Sequence, residues 1–226
     1  MKNIYNSILK MAAVIAVAFG LNSCLEKLPG DYILEEEAMQ TLSDAEQTLT
    51  GIYTAYMSSA LYSGYLTLCP DIQADLVYAV QGNSNQYGTH WLWDIRSTNS
   101  EIEAVYAGLY RVIGRCNFYL DQVEKLRSSL TDDAEIQYLD YYTGVVDCAR
   151  GLAYAELLSC FCKAYDPATA ENELGLVLAD TYFGEKPKKR ASLKESYEFV
   201  IRDLEKAEEM LDEENDYYDA PYFTNA

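Results

Sequence analysis

The 226-residue sequence predicts an all-α fold of antiparallel helix pairs with one irregular, loop-rich insertion. Apolar residues recur at alternating steps of three and four through residues 100–163, which places them on one face of a helix. A short polar turn divides this stretch, so its two helices are expected to be antiparallel neighbours. Serine or threonine followed three residues later by an acidic residue, the capping-box pattern, precedes several of the helical segments.

Residues 1–23 have the pattern of a bacterial lipoprotein signal peptide. Two lysines give a basic start, and the apolar run that follows is too short for the roughly 20 residues of a membrane span. The run ends in Leu21-Asn22-Ser23-Cys24, which resembles a lipobox. We therefore expect cleavage before Cys24 and lipidation of its thiol, with residues 24–226 forming the helical domain. The alternative is an ordinary secretory signal with a chance cysteine.

A tether containing Pro29-Gly30 leads into the first predicted helix. Ser43 and Glu46 predict its capping box. Gly51 inside this helix costs about 1 kcal/mol relative to alanine, which predicts a close helix crossing there. One face of the helix is apolar and carries Ala45, Leu49, Ile52, Tyr53, Tyr56 and Met57.

Residues 62–99 form the irregular insertion. Residues 71–80 predict a short strand or extended piece, and the glycine-, asparagine- and serine-rich residues 81–86 predict a loop. Four candidate ligand-binding side chains follow this loop: Tyr87, His90, Trp91 and Trp93.

In the central helix pair, Ser100 and Glu103 predict a capping box for the first helix, and Thr131 is the predicted cap of the second. The first apolar face carries Ile102, Tyr106, Leu109, Ile113, Cys116, Leu120 and Val123. The second apolar face carries Ile136, Leu139, Tyr142, Val146, Ala149, Ala153, Leu157 and Cys160.

Residues 164–189 lack periodicity and predict a long connection. A basic cluster at its end, made of Lys186, Lys188, Lys189 and Arg190, is expected to be a solvated loop. Ser192 and Glu195 then predict the capping box of a closing helix. Its apolar face carries Leu193, Tyr197, Val200, Ile201, Leu204 and Ala207.

Charge excludes one class of partner. The net charge is −19, and removal of residues 1–23 takes away two lysines and no acid, which leaves −21. Such a surface repels phosphate backbones, so nucleic-acid binding is not expected. A single histidine and the lack of a phosphate-binding loop or nucleophile elbow predict no enzyme, no metal and no cofactor.

Six cysteines are present, and five remain if Cys24 is lipidated. An odd number does not suit a disulfide framework. Cys116 and Cys160 fall on the predicted apolar faces, where a thiol behaves as a small hydrophobic group. A buried disulfide of Cys148 with Cys160 or Cys162 is the alternative.

Several segments resemble one known family. The pattern of tyrosines, isoleucine and asparagine in the first central helix and the arginine-led second helix resemble the SusD/RagB-like outer-membrane nutrient-binding lipoproteins. The closing helix and the Gly51-Ile52-Tyr53 triplet resemble the same family. The residues that carry the resemblance are Tyr106, Tyr110, Ile113, Asn117, Arg150, Ala153, Tyr154, Leu157, Arg190, Ser192, Glu195, Tyr197, Ile201, Asp203 and Ala207.

The resemblance implies tetratricopeptide-like helix pairs and an outer-membrane lipoprotein that faces the exterior. Such a protein covers a TonB-dependent SusC-like transporter and passes it glycans or other oligomeric nutrients. It also implies that this chain holds the N-terminal domain of a longer protein. Two alternatives are a lipid-anchored helical-repeat scaffold that binds only protein and a non-functional fragment.

Binding chemistry singles out the aromatic segment at the end of the insertion. One face of a sugar ring is apolar and matches the ring of a tyrosine or tryptophan, while loop polar groups select hydroxyls. Tyr87, His90, Trp91 and Trp93 have this chemistry, so we expect them to contact ligand. The alternative is that both tryptophans pack beneath the loop as local core.

Overall fold

The computed structural model describes residues 37–78, 80, 82, 84, 87–185 and 189–211. The predicted all-α class is confirmed, because this part holds six helices and no strand. Cys24 lies outside the described residues. None of the described helices combines the length and the apolar character needed to cross a bilayer. The helices are α1 Leu42–Tyr56, α2 Tyr65–Gln73, α3 Gly88–Trp91, α4 Ser100–Ser129, α5 Asp133–Phe161 and α6 Leu193–Met210.

All six helices belong to the compact unit that begins at Met39. The predicted pair is present as α4 and α5, joined by the three-residue turn 130–132. Helix α6 packs on α5, and α1 packs on both α4 and α5. Because α5 has neighbours on three sides, nearly every residue from Leu139 to Tyr154 is buried.

The predicted apolar stripes are correct at their centres and wrong at their edges. On α4, Leu109, Ile113, Cys116 and Val123 are buried as predicted, whereas Tyr106 is exposed. Val105, Val112, Tyr119 and Leu126 complete the buried face. The face is wider than one stripe because α4 packs against α1 as well as α5. Met57, Ile201, Leu204 and Cys160 are likewise exposed rather than buried.

The capping box of α6 is confirmed, since Ser192 Oγ accepts from Glu195 N at 3.1 Å and the Glu195 carboxylate accepts from Ser192 N at 2.8 Å. The box of α1 is wrong by two residues, because Thr41 and Asp44 form it. Hydrogen bonding with Thr41 lowers the pKa of the Asp44 carboxyl. The Asp44 carboxylate accepts in return from Thr41 N at 2.8 Å.

The other two predicted caps are also wrong. Asp132, not Thr131, caps α5 by accepting from Ala134 N at 2.8 Å. Helix α4 has Asn99 as its N-cap residue and no side-chain cap. The Asn99 side chain is engaged elsewhere, accepting from Arg96 N at 2.6 Å and donating to Thr89 Oγ1 at 3.1 Å.

The predicted strand at residues 71–80 is wrong, because helix α2 runs through Gln73. Pro70 lies inside this nine-residue helix, where it lacks the N–H that an α-helix uses. Asp75 then adopts a left-handed backbone conformation with φ of 58°, which ends the helix.

Close helix crossings occur at α5 and α6 rather than at Gly51. A Cβ on Gly51 would meet only Arg115 Nη1 at 3.6 Å, an ordinary contact. In α5, a Cβ on Gly144 would lie 2.8 Å from Met210 Cβ, and one on Gly151 would lie 2.9 Å from Leu204 Cδ2. The absence of side chains on these two glycines therefore lets α6 approach the backbone of α5.

The five described cysteines are free thiols, so no disulfide pairs Cys148 with Cys160 or Cys162. Cys116 is buried as predicted, and burial raises the pKa of its thiol well above the usual range. The buried thiol packs as a small apolar group within the core.

Gly144→Ala is expected to lower the free energy of unfolding by about 1–3 kcal/mol, because the new methyl group forces Met210 and Leu211 away. Gly114→Ala in α4 is the matched control. Nothing lies within 4 Å of its added Cβ, so it should raise stability by about 0.5–1 kcal/mol. Urea denaturation of both variants measures the difference, and equal effects would contradict the proposed packing.

Candidate functional site

The aromatic loop, residues 87–96, contains all four candidate side chains. Tyr87 is the N-cap residue of α3 and has a left-handed backbone with φ of 61°. Trp93 also has positive φ, at 55°. Trp91 is the last residue of the short helix α3, and the chain turns before Trp93.

The loop has a buried base. His90 is fully buried, and the structure shows no hydrogen-bond partner for either of its ring nitrogens. Its ring lies edge-on to Tyr87 with centroids 6.4 Å apart, and Tyr87 in turn contacts Tyr65 of α2 at 6.0 Å. A surface ligand does not reach His90 in this arrangement, so His90 and Tyr87 anchor the loop onto α2.

The two tryptophans lie on the outside of the loop. Trp91 is 46% exposed and Trp93 is 66% exposed. The alternative in which both rings form local core therefore does not describe this structure. Leu92 and Ile95 beside them are also exposed. The loop thus presents apolar and aromatic surface to solvent, which in soluble proteins marks interaction sites.

Polar contacts fix the far end of the loop. Arg96 pairs with Asp94 at 2.7 Å, with both side chains largely exposed. This ion pair lowers the pKa of the Asp94 carboxyl. The Asn99 side chain bridges Arg96 N and Thr89 Oγ1. These bonds hold Trp91 and Trp93 between two fixed points.

A second polar region lies on the helix bundle, where residues 174–183 form a strap. Tyr110 Oη donates to Val177 O at 3.0 Å and accepts from Val177 N at 3.2 Å. Tyr154 Oη does the same at Ala179, at 2.9 and 2.8 Å. Each tyrosine hydroxyl thus satisfies both backbone groups of one strap residue, which a strand partner would otherwise do.

The acidic side chain of Asp121 holds the end of the strap. Its Oδ2 accepts from Thr181 Oγ1 at 2.8 Å and from the backbone N–H groups of Tyr182 and Phe183 at 2.7 and 3.0 Å. Phe118 packs edge-on against Tyr182 at 5.3 Å. Helix α4 therefore binds the strap through both polar and aromatic contacts.

A buried charge network joins α4, α5 and α6. Arg150 Nε and Nη2 donate to the two carboxylate oxygens of Asp203 at 2.7 and 2.9 Å. Arg150 Nη1 donates to Asn117 Oδ1 at 2.9 Å, and Asn117 Nδ2 donates to Ala179 O at 2.8 Å. Arg150, Asn117 and Asp203 are all buried.

Asp147 makes the longest hydrogen bond in this network. Its Oδ1 lies 3.4 Å from Arg150 Nη2, because the guanidinium is committed to Asp203 and Asn117. Burial raises the pKa of the Asp147 carboxyl to about 6, more than Arg150 lowers it. Sequence reasoning missed Asp147. The available signal was an acidic residue one turn before Arg150 in the most apolar part of α5.

Asp203 was noticed only through the family resemblance. Its spacing offered a physical signal, because it lies four residues after Phe199 and four before Ala207 on the buried face of α6. A charge within an apolar stripe predicts a buried partner. No group of three or more histidine, cysteine or acidic side chains in the described ranges is arranged to hold a metal ion.

Comparison with protein families matches residues 31–225 to a SusD-like family described as "Starch-binding associating with outer membrane". No curated protein matches the sequence. Similarity to solved structures is extensive in fold and low in sequence.

One similar structure is a "Putative sugar binding protein" from Bacteroides vulgatus, with 27% identity, a TM-score of 0.63 and coverage of 77% of this chain and 38% of that one. A SusD homologue from Bacteroides thetaiotaomicron has 21% identity, a TM-score of 0.65 and coverage of 84% and 35%. A SusD superfamily protein from Bacteroides fragilis has 22% identity, a TM-score of 0.66 and coverage of 83% and 43%. The present chain thus spans about two fifths of the length of these proteins.

Asp147→Asn is expected to gain stability relative to the parent as pH rises. The folded-state pKa of about 6 exceeds the ordinary 3.8, so the parent loses stability as pH rises between these values. The asparagine variant lacks this loss, and the difference should reach about 3 kcal/mol near neutral pH.

Urea denaturation at about pH 4 and about pH 7 measures the Asp147→Asn effect. Glu46→Gln, which removes an exposed carboxylate from α1 and keeps Asp147, is the control and should have the same stability profile as the parent at both pH values. Parallel curves for the parent and Asp147→Asn would contradict the buried-charge interpretation.

Proposed function

Because this chain belongs to the SusD-like family, we propose that it is a surface-exposed, nutrient-binding lipoprotein of the outer membrane. In this proposal it captures glycans or other oligomeric nutrients and delivers them to a TonB-dependent SusC-like transporter. Its role is binding, without catalysis. The family match over residues 31–225 supports the assignment, and the similar structures support the helical fold.

The observation that carries the glycan proposal is the exposure of Trp91 and Trp93 on an anchored loop. An indole ring stacked on the apolar face of a sugar removes apolar surface of both partners from water. His90 and Tyr87 hold the loop from beneath, and Asn99 holds its far end. The two rings are therefore positioned before ligand arrives, which reduces the entropy lost on binding.

The lipid anchor proposed at Cys24 supplies the second part of the function. A diacylglyceryl group plus an amide-linked acyl chain gives more than one membrane anchor, which makes attachment stable. An anchored protein shares the membrane plane with its transporter, so the effective concentration of one near the other is high. Delivery then needs no strong contact between the two proteins.

A protein-only scaffold is the second candidate, and a specific observation favours it. Apolar residues are exposed on the segment after α2 as well as on the aromatic loop, namely Leu76, Val77, Tyr78, Val80, Leu92 and Ile95. Helix α2, which precedes the first of these segments, contacts helix α3 of the aromatic loop. Apolar surface beyond two indole rings suits a protein partner better than a single sugar chain.

Trp91→Ala and Trp93→Ala should each weaken binding to any polysaccharide that the parent retards in an affinity gel, by about tenfold or more. The lost ring contact with the sugar is the cause. Leu92→Ala is the matched control, because it removes an exposed apolar side chain from the same loop without removing a ring. Binding unchanged by both tryptophan substitutions would refute the aromatic-loop site and favour the protein-only scaffold.

The lipid anchor has a separate test. Metabolic labelling with palmitate should modify the parent and not Cys24→Ala. Cys160→Ala, which removes an exposed thiol from α5, should label like the parent. Equal labelling of the parent and Cys24→Ala would show that the anchor proposal is incorrect.

A further inference from the structure

The aromatic loop is docked through the only histidine of the chain. His90 is fully buried, and neither of its ring nitrogens has a hydrogen-bond partner among the described residues. A neutral imidazole carries one N–H donor and one acceptor, so two hydrogen-bonding groups lose water when the ring is buried. Burial of unpaired polar groups is unfavourable, and this cost opposes docking of the loop.

Backbone strain acts in the same direction. Tyr87 and Trp93 lie on either side of His90 and have φ of 61° and 55°. This left-handed region is unfavourable for a residue with a bulky side chain. Such residues keep this conformation only where surrounding contacts hold them, and they are concentrated at switches and ligand sites. The docked loop is therefore held against two local costs, and a further cost at His90 favours its release.

The contacts that favour the docked form do not use the imidazole nitrogens. Inside the loop, Trp91 N donates to Tyr87 O at 3.1 Å and Asp94 N donates to Thr89 O at 2.8 Å. Between the loop and α2, the Tyr87 ring lies 6.0 Å from the ring of Tyr65. These backbone and aromatic contacts do not change with pH in the range where a histidine titrates. The imidazole is thus the part of the docked loop that responds to protons.

The titratable groups around the loop do not supply a partner for a charged ring. Helix α2 packs on α3 and holds the Cys69 thiol, whose pKa burial raises to about 11, so the thiol is neutral. Asp94 is paired with Arg96, which lowers the pKa of the Asp94 carboxyl. No carboxylate of the described residues hydrogen-bonds or ion-pairs with His90. The titratable groups on these elements are Tyr65, Cys69 and Asp71 of α2, Asp75 and Tyr78 after it, Tyr87, Asp94 and Arg96 of the loop, and Glu101 and Glu103 at the start of α4.

A proton on His90 adds a full charge to this buried position. The imidazolium has two N–H donors, and the docked loop provides an acceptor for neither. Water solvates both the charge and the donors once the ring is exposed. We propose that His90 makes the aromatic loop a proton-controlled switch, docked on α2 while the ring is neutral and released when the ring is protonated.

The direction and size of the effect follow from the protons bound by the two forms. The released form exposes the ring to water, where a histidine side chain takes up a proton near pH 6.5. The docked form keeps the ring neutral, so the released form binds more protons in acid and docking weakens as pH falls. A difference of one proton changes the ratio of released to docked loop by about 25-fold between about pH 7 and about pH 5.

The switch acts on the loop that carries the proposed function. Release removes Trp91 and Trp93 from the contacts that position them, so binding of a glycan to these rings should weaken in acid. This consequence rests on the proposed glycan function, whereas the switch itself is a property of the free protein.

Amide hydrogen exchange of the full chain measures the docking equilibrium without a ligand. Protection of the Asp94 amide, relative to its intrinsic exchange rate at the same pH, should fall about 25-fold from about pH 7 to about pH 5. His90→Phe keeps an aromatic ring and removes both nitrogens. Its protection should not change with pH and should equal or exceed that of the parent at about pH 7. Trp91→Phe keeps His90 and should respond like the parent, while amides of α5 report that each variant is folded.

Three outcomes would overturn the proposal. The first is equal protection of the loop in the parent at both pH values, and the second is an equal fall in the parent and His90→Phe. The third is lower protection in His90→Phe than in the parent at about pH 7, which would show that the ring nitrogens favour docking through a partner such as a bound water. Because exchange is measured without glycan, failure of the switch is distinguishable from failure of the proposed function.

Discussion

The buried ion pair of Arg150 with Asp203 is the interaction on which the rest of this structure depends. It fixes α6 on α5 through two hydrogen bonds, and the third arm of the guanidinium reaches Asn117 of α4. Burying such a pair has a large desolvation cost, so its net contribution to stability is small. Any other packing of the three helices would separate the two charges and leave a buried charge uncompensated, which is unfavourable.

The geometry that this ion pair needs is set by residues that have no charge. Gly144 and Gly151 let α6 approach α5 closely enough for the guanidinium to reach Asp203. The strap is then added to the helices through the hydroxyls of Tyr110 and Tyr154 and the amide of Asn117. Asn117 belongs to both sets of contacts, so the position of the strap is linked to the ion pair.

Sequence periodicity predicted the long helices and could not predict the insertion. The apolar repeat of α4 and α5 extends over many turns. The residues at the centre of each predicted face are buried, although contact with a third helix makes the buried face wider than the predicted one. Helix α2 has nine residues with Pro70 inside, so it offers too few periods to distinguish a helix from an extended segment. His90 is buried beside Tyr87, which contacts Tyr65 of α2, and the local sequence does not encode this tertiary contact.

The separation of scaffold and loop explains how this domain keeps two tryptophans exposed. The core is complete without them, because α4, α5 and α6 bury their apolar faces against one another. His90 and Tyr87 supply apolar contact between the loop and α2, whereas Trp91 and Trp93 do not belong to the buried core. An exposed indole ring adds little to the free energy of folding. Its apolar surface leaves water only when a partner covers it, so it adds to the free energy of binding. The loop is therefore better explained by recognition than by stability.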